Sequence, residues 1–130
     1  MKKINCLLII LLLFILSLTL NAQVVNKRIK FKKGESSAIV ENAIVRGETH
    51  SYLVKAREGQ FMVVTIMSLE DNAVIEIIDK STGQQLPGAE ETADAKRWEG
   101  HLPSSGNYTI IAGSTRGNAS YTLKVMILNE

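Results

Sequence analysis

From Ile29 onward, apolar and polar residues alternate with a period close to two, and no stretch keeps a helical period for long. Ile29-Lys-Phe31 alternates and stops at Lys32-Lys-Gly-Glu-Ser-Ser. Ala38 to Val45 is a second β-rich run, ended by Gly47, and Tyr52, Val54 and Ala56 mark one face of a third, closed by Glu58-Gly59. Phe61 to Met67 is apolar on both faces, as a strand central to a sheet would be. Val74 to Ile78 sets Ile75 and Ile77 against Glu76 and Asp79, and Lys80-Ser-Thr-Gly-Gln turns the chain. Pro87 to Lys96 is polar and acidic and reads as a surface loop with room for one helical turn. Trp98, Gly100 and Leu102 open the next strand, Tyr108, Ile110 and Ala112 continue the pattern, and Tyr121, Leu123, Val125 and Ile127 give the longest clean alternation. Short strands at this spacing, about seven or eight of them with almost no helix, predict an all-β fold: a single antiparallel β-sandwich, jelly-roll-like.

The front of the chain predicts where it works. Lys2 and Lys3 precede an apolar run from Ile4 to Leu20, followed by Asn21-Ala22 and then Gln23. A basic segment, a short apolar segment and a small residue before the break have the layout of a Sec signal peptide over residues 1–22, cut after Ala22. An uncleaved anchor is the alternative, because the run nears spanning length. Cys6 lies at the start of the apolar run rather than its end, so no lipid anchor is implied.

Cleavage there changes the charge balance. The whole chain has 15 Lys and Arg against 13 Asp and Glu, and removal of Lys2 and Lys3 leaves 13 of each sign. A formally neutral domain lacks the cationic excess that nucleic-acid binding needs. The single cysteine also leaves with the signal, so residues 23–130 are expected to form one domain without disulfide or thiolate metal site. Roughly 108 residues suffice for one apolar core of modest reserve.

Candidate chemistry is sparse. His50 and His101 stand alone, without a His, Cys or carboxylate at metal-ligand spacing. Ser104 and Ser105 sit in Leu-Pro-Ser-Ser-Gly, which lacks the strand-to-helix setting of a nucleophile elbow. No spaced Asp/Asn/Asp set points to calcium, and Gly113-Ser-Thr-Arg-Gly precedes no helix, so it is a hairpin loop rather than a phosphate cradle. No cofactor and no catalytic residue is expected. The basic run Lys27-Arg-Ile-Lys-Phe-Lys-Lys reads as the solvated face of an edge strand, with an anionic envelope surface as the alternative partner.

Short motifs carry a family resemblance from about Arg28 to Ile127. Gly47, Tyr52-Leu-Val-Lys-Ala, Gly59-Gln60, Ile75-Glu-Ile-Ile-Asp before the Gly83 turn, Ser105-Gly-Asn-Tyr108 and Tyr121-Thr-Leu resemble the pre-peptidase C-terminal type of bacterial β-sandwich. Ser68-Leu-Glu-Asp-Asn-Ala, Trp98-Glu-Gly-His-Leu-Pro and Gly113-Ser-Thr-Arg-Gly-Asn-Ala look like exported inhibitors of g-type lysozyme. Two signatures of lysozyme-inhibitor families bear on the site. Ser105-Gly106-Asn107-Tyr108 matches the shorter form of Ser-Gly, one or two residues, Tyr. The second runs from Tyr-x-Arg, through five residues, to Gly-x-x-x-Tyr. Gly117 to Tyr121 supplies its tail, but Ile110 stands where the arginine belongs and the spacing is one residue too long.

The resemblance implies a non-catalytic, exported or periplasmic protein whose partner is a g-type lysozyme, or, in the pre-peptidase reading, a carbohydrate or protein ligand of the cell envelope. Ser104, Ser105, Gly106, Asn107, Tyr108, Arg116 and Tyr121 are the candidate contact residues, with Arg116 standing in for the missing cation. Plainer readings stay open for several of them. Tyr121 and Tyr108 alternate with core positions, Gly106 and Gly117 suit turns, and Trp98 keeps company with Leu102. The two connections also flank one strand, Tyr108 to Ala112, and so fall at its opposite ends.

Overall fold

The computed structural model describes residues 25–129. The expected signal peptide and Cys6 lie outside the described residues. The strands are β1 (Asn26–Arg28), β2 (Ser37–Ile44), β3 (His50–Ala56), β4 (Phe61–Ser68), β5 (Ala73–Asp79), β6 (Gln84–Gln85), β7 (Arg97–His101), β8 (Gly106–Ser114) and β9 (Ala119–Leu128). They form two sheets, ordered β1-β3-β8-β5-β6 and β2-β9-β4-β7. Every strand pair is antiparallel except β1 with β3. Among the described residues no helix is long and apolar enough to cross a membrane.

The period-two pattern becomes the core. Tyr52 and Val54 of β3, Ile75 and Ile77 of β5, and Tyr108 and Ile110 of β8 face inward from one sheet. Met62, Val64 and Ile66 of β4 meet them from the other, with Leu123 and Val125 of β9 beside them. All are essentially buried, and each fully buried aliphatic side chain contributes about 1.5–3 kcal/mol relative to exposure. Phe61 to Met67, apolar on both faces, is indeed an interior strand of its sheet.

The described residues form nine strands where seven or eight were expected, and two of them, β1 and β6, are short and polar. The first strand is Asn26–Arg28, not Ile29–Phe31. Its backbone is held parallel to β3 by Ser51 N–H to Val25 C=O (2.8 Å) and Ile29 N–H to Leu53 C=O (2.8 Å). Ile29 and Phe31 lie beyond it and pack on the core instead of forming a ladder. The acidic segment does take one 3₁₀ turn, Glu91–Ala93, but it is more than a loose surface loop. Ile77 N–H donates to Ala89 C=O (2.9 Å) and Ile75 N–H to Ala95 C=O (2.7 Å), so this segment covers the free side of β5. Ala89 is fully buried as a result.

Candidate functional site

The connection from β7 to β8 forms a tip at one end of the sandwich. Leu102 anchors it, buried, with its N–H on Gln60 C=O (2.8 Å) and its C=O accepting from Gly59 N–H (2.9 Å). Tyr108 pins it from below: its hydroxyl donates to Ser104 C=O (2.6 Å) and accepts from Ser104 N–H (3.2 Å). Ser104 Oγ donates to the buried Asp79 carboxylate, and Ser81 adds its own hydroxyl (2.7 Å) and N–H (2.9 Å). Burial by itself would raise the Asp79 pKa. Hydrogen bonds from Ser104, Ser81 and the Thr82 backbone outweigh it and hold the carboxyl below its ordinary 3.8. Gly106 sits at φ 143°, a conformation that side chains rarely adopt, so the turn into β8 requires glycine.

The outer surface of this tip is cationic. Asn107 Oδ1 accepts from the Arg28 guanidinium (3.0 Å), and Asn107 C=O accepts from Lys80 N–H (3.0 Å). Lys55 stands directly opposite Asn107 in the β3–β8 register, and exposed Arg57 follows two residues later. Glu58 is the neighbouring acid, and its N–H donates to Ser105 Oγ (2.8 Å). The structure therefore brings Ser104, Ser105, Gly106, Asn107 and Tyr108 into one braced unit, with Ser105 exposed and Tyr108 fully buried.

Arg116 is not part of that unit. It follows β8, whose nine residues put the strand's far end roughly 26 Å from Gly106 at about 3.3 Å per step. Its guanidinium donates to Glu70 C=O (2.6 Å). Asn72, buried, donates to Arg116 C=O (2.8 Å) and Asn118 C=O (2.9 Å), while Thr115 N–H donates to Asn72 C=O (2.9 Å). The segments Ser68–Ala73 and Gly113–Ala119 are thus stitched together at this end. Beside them Met67 and the fully exposed Leu69 border an open depression of ≈430 Å³ with Glu41, Ser120 and Thr122.

Tyr121 belongs to the interior near this second end. Its hydroxyl bonds His50 Nδ1 (2.7 Å) and the Tyr52 hydroxyl, and it is 3% exposed. Burial first, and the Tyr52 hydroxyl second, push its pKa well above the ordinary 10.0, so it stays neutral. His50 and Asp79 were not singled out from sequence as partners of anything. Both occupy inward positions of their strands' alternation, His50 with Tyr52 and Val54, Asp79 with Ile75 and Ile77. A polar residue in phase with a core face was the available signal. His101 lies in an edge-on contact with Phe61, ring centroids 5.2 Å apart. Among the described residues, no three His, Cys, Asp or Glu side chains group as metal ligands would.

These features define a class first: a two-sheet, mostly antiparallel β-sandwich. No family model matches the chain, and no curated protein matches it in sequence. Solved structures do. PliG from Aeromonas hydrophila, described as a periplasmic lysozyme inhibitor of g-type lysozyme, is 28% identical with a TM-score of 0.66. The match covers 80% of this chain and 96% of that one. PliG from Salmonella Typhimurium, described in the same words, is 22% identical over 79% and 97% of the two chains, with a TM-score of 0.64. The pre-peptidase C-terminal domain of a Bacillus anthracis collagenase shares the fold at 14% identity and a TM-score of 0.59, over 81% and 98%. Both families suspected from the motifs are therefore present among the structural neighbours, the second as a likeness of fold alone.

Proposed function

We propose that this protein is an exported, non-catalytic inhibitor of a g-type lysozyme, and that the Ser104–Asn107 tip makes the contact. The observation that carries this reading is the likeness to Aeromonas hydrophila PliG, which spans nearly all of that chain. The chemistry of the tip supports it. Glycoside hydrolases work with carboxyl groups in a cleft, and Arg28, Lys55, Arg57 and Lys80 flank the tip, with Glu58 as the neighbouring exposed acid. The tip is braced by Tyr108 and Asp79, so little ordering cost is left for binding. Ser105 and Asn107 offer hydrogen-bonding groups at its rim. Tyr108 and Tyr121 act as internal supports in this reading rather than as contacts, because both are buried. Arg116 is assigned to the opposite end, where one cleft reached by the tip does not extend.

The test is lysis of cell-wall substrate by g-, c- and i-type lysozymes with and without mature protein from Gln23 onward. Inhibition confined to the g class, at submicromolar protein, is the expected result. Lysis unaffected in all three classes, together with retention of the protein on peptidoglycan, would replace this reading with that of a glycan-binding sandwich.

A further inference from the structure

Of the four outer strands of the two sheets, three are guarded. β1 is three residues long and carries Lys27 and Arg28, β6 is two residues long with the Ala89–Ala95 segment beside it, and β7 is five residues with Arg97 and Glu99 on its outer face. Short length, charge and cover are the usual defences of a sheet edge. β2 is longer than any of these, and its one charged residue is Glu41. Its eight residues, Ser37-Ala-Ile-Val-Glu-Asn-Ala-Ile44, include no Lys, Arg, Pro or Gly, and it ends its sheet. On its outer face Ile39 is 62% exposed.

The hydrogen-bond phase of β2 follows from one contact. Ser36 C=O accepts from Ile127 N–H (2.8 Å), so the even-numbered residues direct their backbone groups at β9. The odd-numbered ones, Ser37, Ile39, Glu41 and Ala43, direct theirs at the open edge. Ala43 N–H is already taken by the Asn42 side chain (2.8 Å), which leaves the centre of the strand, Ile39 and Glu41, as the open part.

We infer that this edge pairs antiparallel with β2 of a second copy of the chain, joining two four-stranded sheets across a two-fold axis. Both face and hydrogen-bond phase restrict the register, because odd residues must meet odd residues. A two-fold axis at Glu41 would set two carboxylates opposite each other. An axis at Val40 instead sets Ile39 opposite Glu41 of the second copy, each exchanging both backbone hydrogen bonds. It also delivers that carboxylate beside Ile39, on the rim of a depression lined by Lys30 and Lys32 together with Glu35. Donor phase is thus self-complementary, as a two-fold interface requires, and the two lysines outnumber Glu35 where the carboxylate arrives. An isolated strand pair buries less than the standard interface of about 1,200–2,000 Å², so the dimer is weak and concentration-dependent.

Sedimentation velocity of the mature protein from micromolar to millimolar concentration tests this. Glu41→Pro deletes a donor that points away from β9, so it blocks pairing without costing the internal ladder. Ile39→Lys guards the edge with a cation at an exposed position and serves if the proline variant does not fold. The expected result is reversible dimerisation, accompanied by slowed amide exchange at Ile39 and Glu41, and weakened about tenfold or more in either folded variant. A wild-type monomer throughout the range, or a dimer that survives the substitutions unchanged, overturns the inference. Self-association is independent of whether lysozyme is inhibited.

Discussion

At one end of β8 the chain is held by hydroxyl groups converging on a buried carboxylate: Ser104 and Ser81 on Asp79, with Tyr108 closing the loop. At the other end the work is done by an amide, Asn72, spanning the carbonyls of Arg116 and Asn118. Both ends are braced, and they differ in what the bracing leaves outside. The Ser104–Asn107 tip is flanked by Lys55, Lys80 and the guanidinium groups of Arg28 and Arg57, which donate to Asn107 and Asn129 side chains, whereas the Arg116 end ties its guanidinium to a backbone carbonyl and leaves Leu69 and Met67 in solvent. The two ends thus differ in surface: basic residues flank the tip, whereas exposed Leu69 and Met67 stand with Arg46 and Arg116 at the other end.

The largest effect separating the ends concerns inhibition. Lys55→Glu with Arg57→Glu is expected to weaken the inhibition constant by about 100-fold, as reversal of two charges facing carboxylates does. Leu69→Asp with Arg116→Glu should leave it within about threefold, since charges remote from a contact change little.

Stability provides the next contrast. Tyr121→Phe leaves His50 and the Tyr52 hydroxyl without their shared partner and should cost about 1–3 kcal/mol in denaturant unfolding, with inhibition retained. Tyr108→Phe removes the pin of the tip and should cost about 0.5–1.5 kcal/mol, but here inhibition should weaken as well. Loss of stability without loss of inhibition in Tyr108→Phe would show that bracing does not matter to binding.

Acid sensitivity offers a finer distinction. The folded-state pKa of Asp79 is lowered, so its stabilisation is present above the ordinary 3.8 and is lost as pH falls through the lower folded value. Asp79→Asn should flatten that acid limb in melting temperature against pH, and amide exchange in Ser81, Ser104 and Ser105 should respond before exchange around Asn72. The smallest effect is expected from Ser105→Ala, a few-fold weaker inhibition, because its Oγ is exposed and its one internal bond is from Glu58 N–H.

Much of this molecule was legible in its sequence. Alternation at Tyr52 to Ala56 and Tyr121 to Ile127 was enough for strands, faces and core, and the placement of the two loops at opposite ends of β8 followed from counting residues. β1 and β6 were not legible because neither Asn26-Lys-Arg nor Gln84-Gln has an apolar face; pairing with β3 and β5 alone makes them strands. From sequence Asp79 goes with Glu76 against Ile75 and Ile77, but in the fold Asp79 is in phase with the isoleucines and buried. Its role comes from residues up to 25 positions away in the chain, and single-sequence spacing carries no trace of such a contact. The cationic surround of Asn107 was hidden for the same reason, since Arg28, Lys55, Arg57 and Lys80 come from three separate stretches.

The most direct measurement is the inhibition constant against one g-type lysozyme for three proteins: the wild type, the Lys55→Glu/Arg57→Glu tip variant and the Leu69→Asp/Arg116→Glu variant of the opposite end. Strong inhibition lost in the tip variant alone is the expected result. Inhibition lost in the Leu69/Arg116 variant and kept in the tip variant would contradict it and move the contact to the Arg116 end of the sandwich.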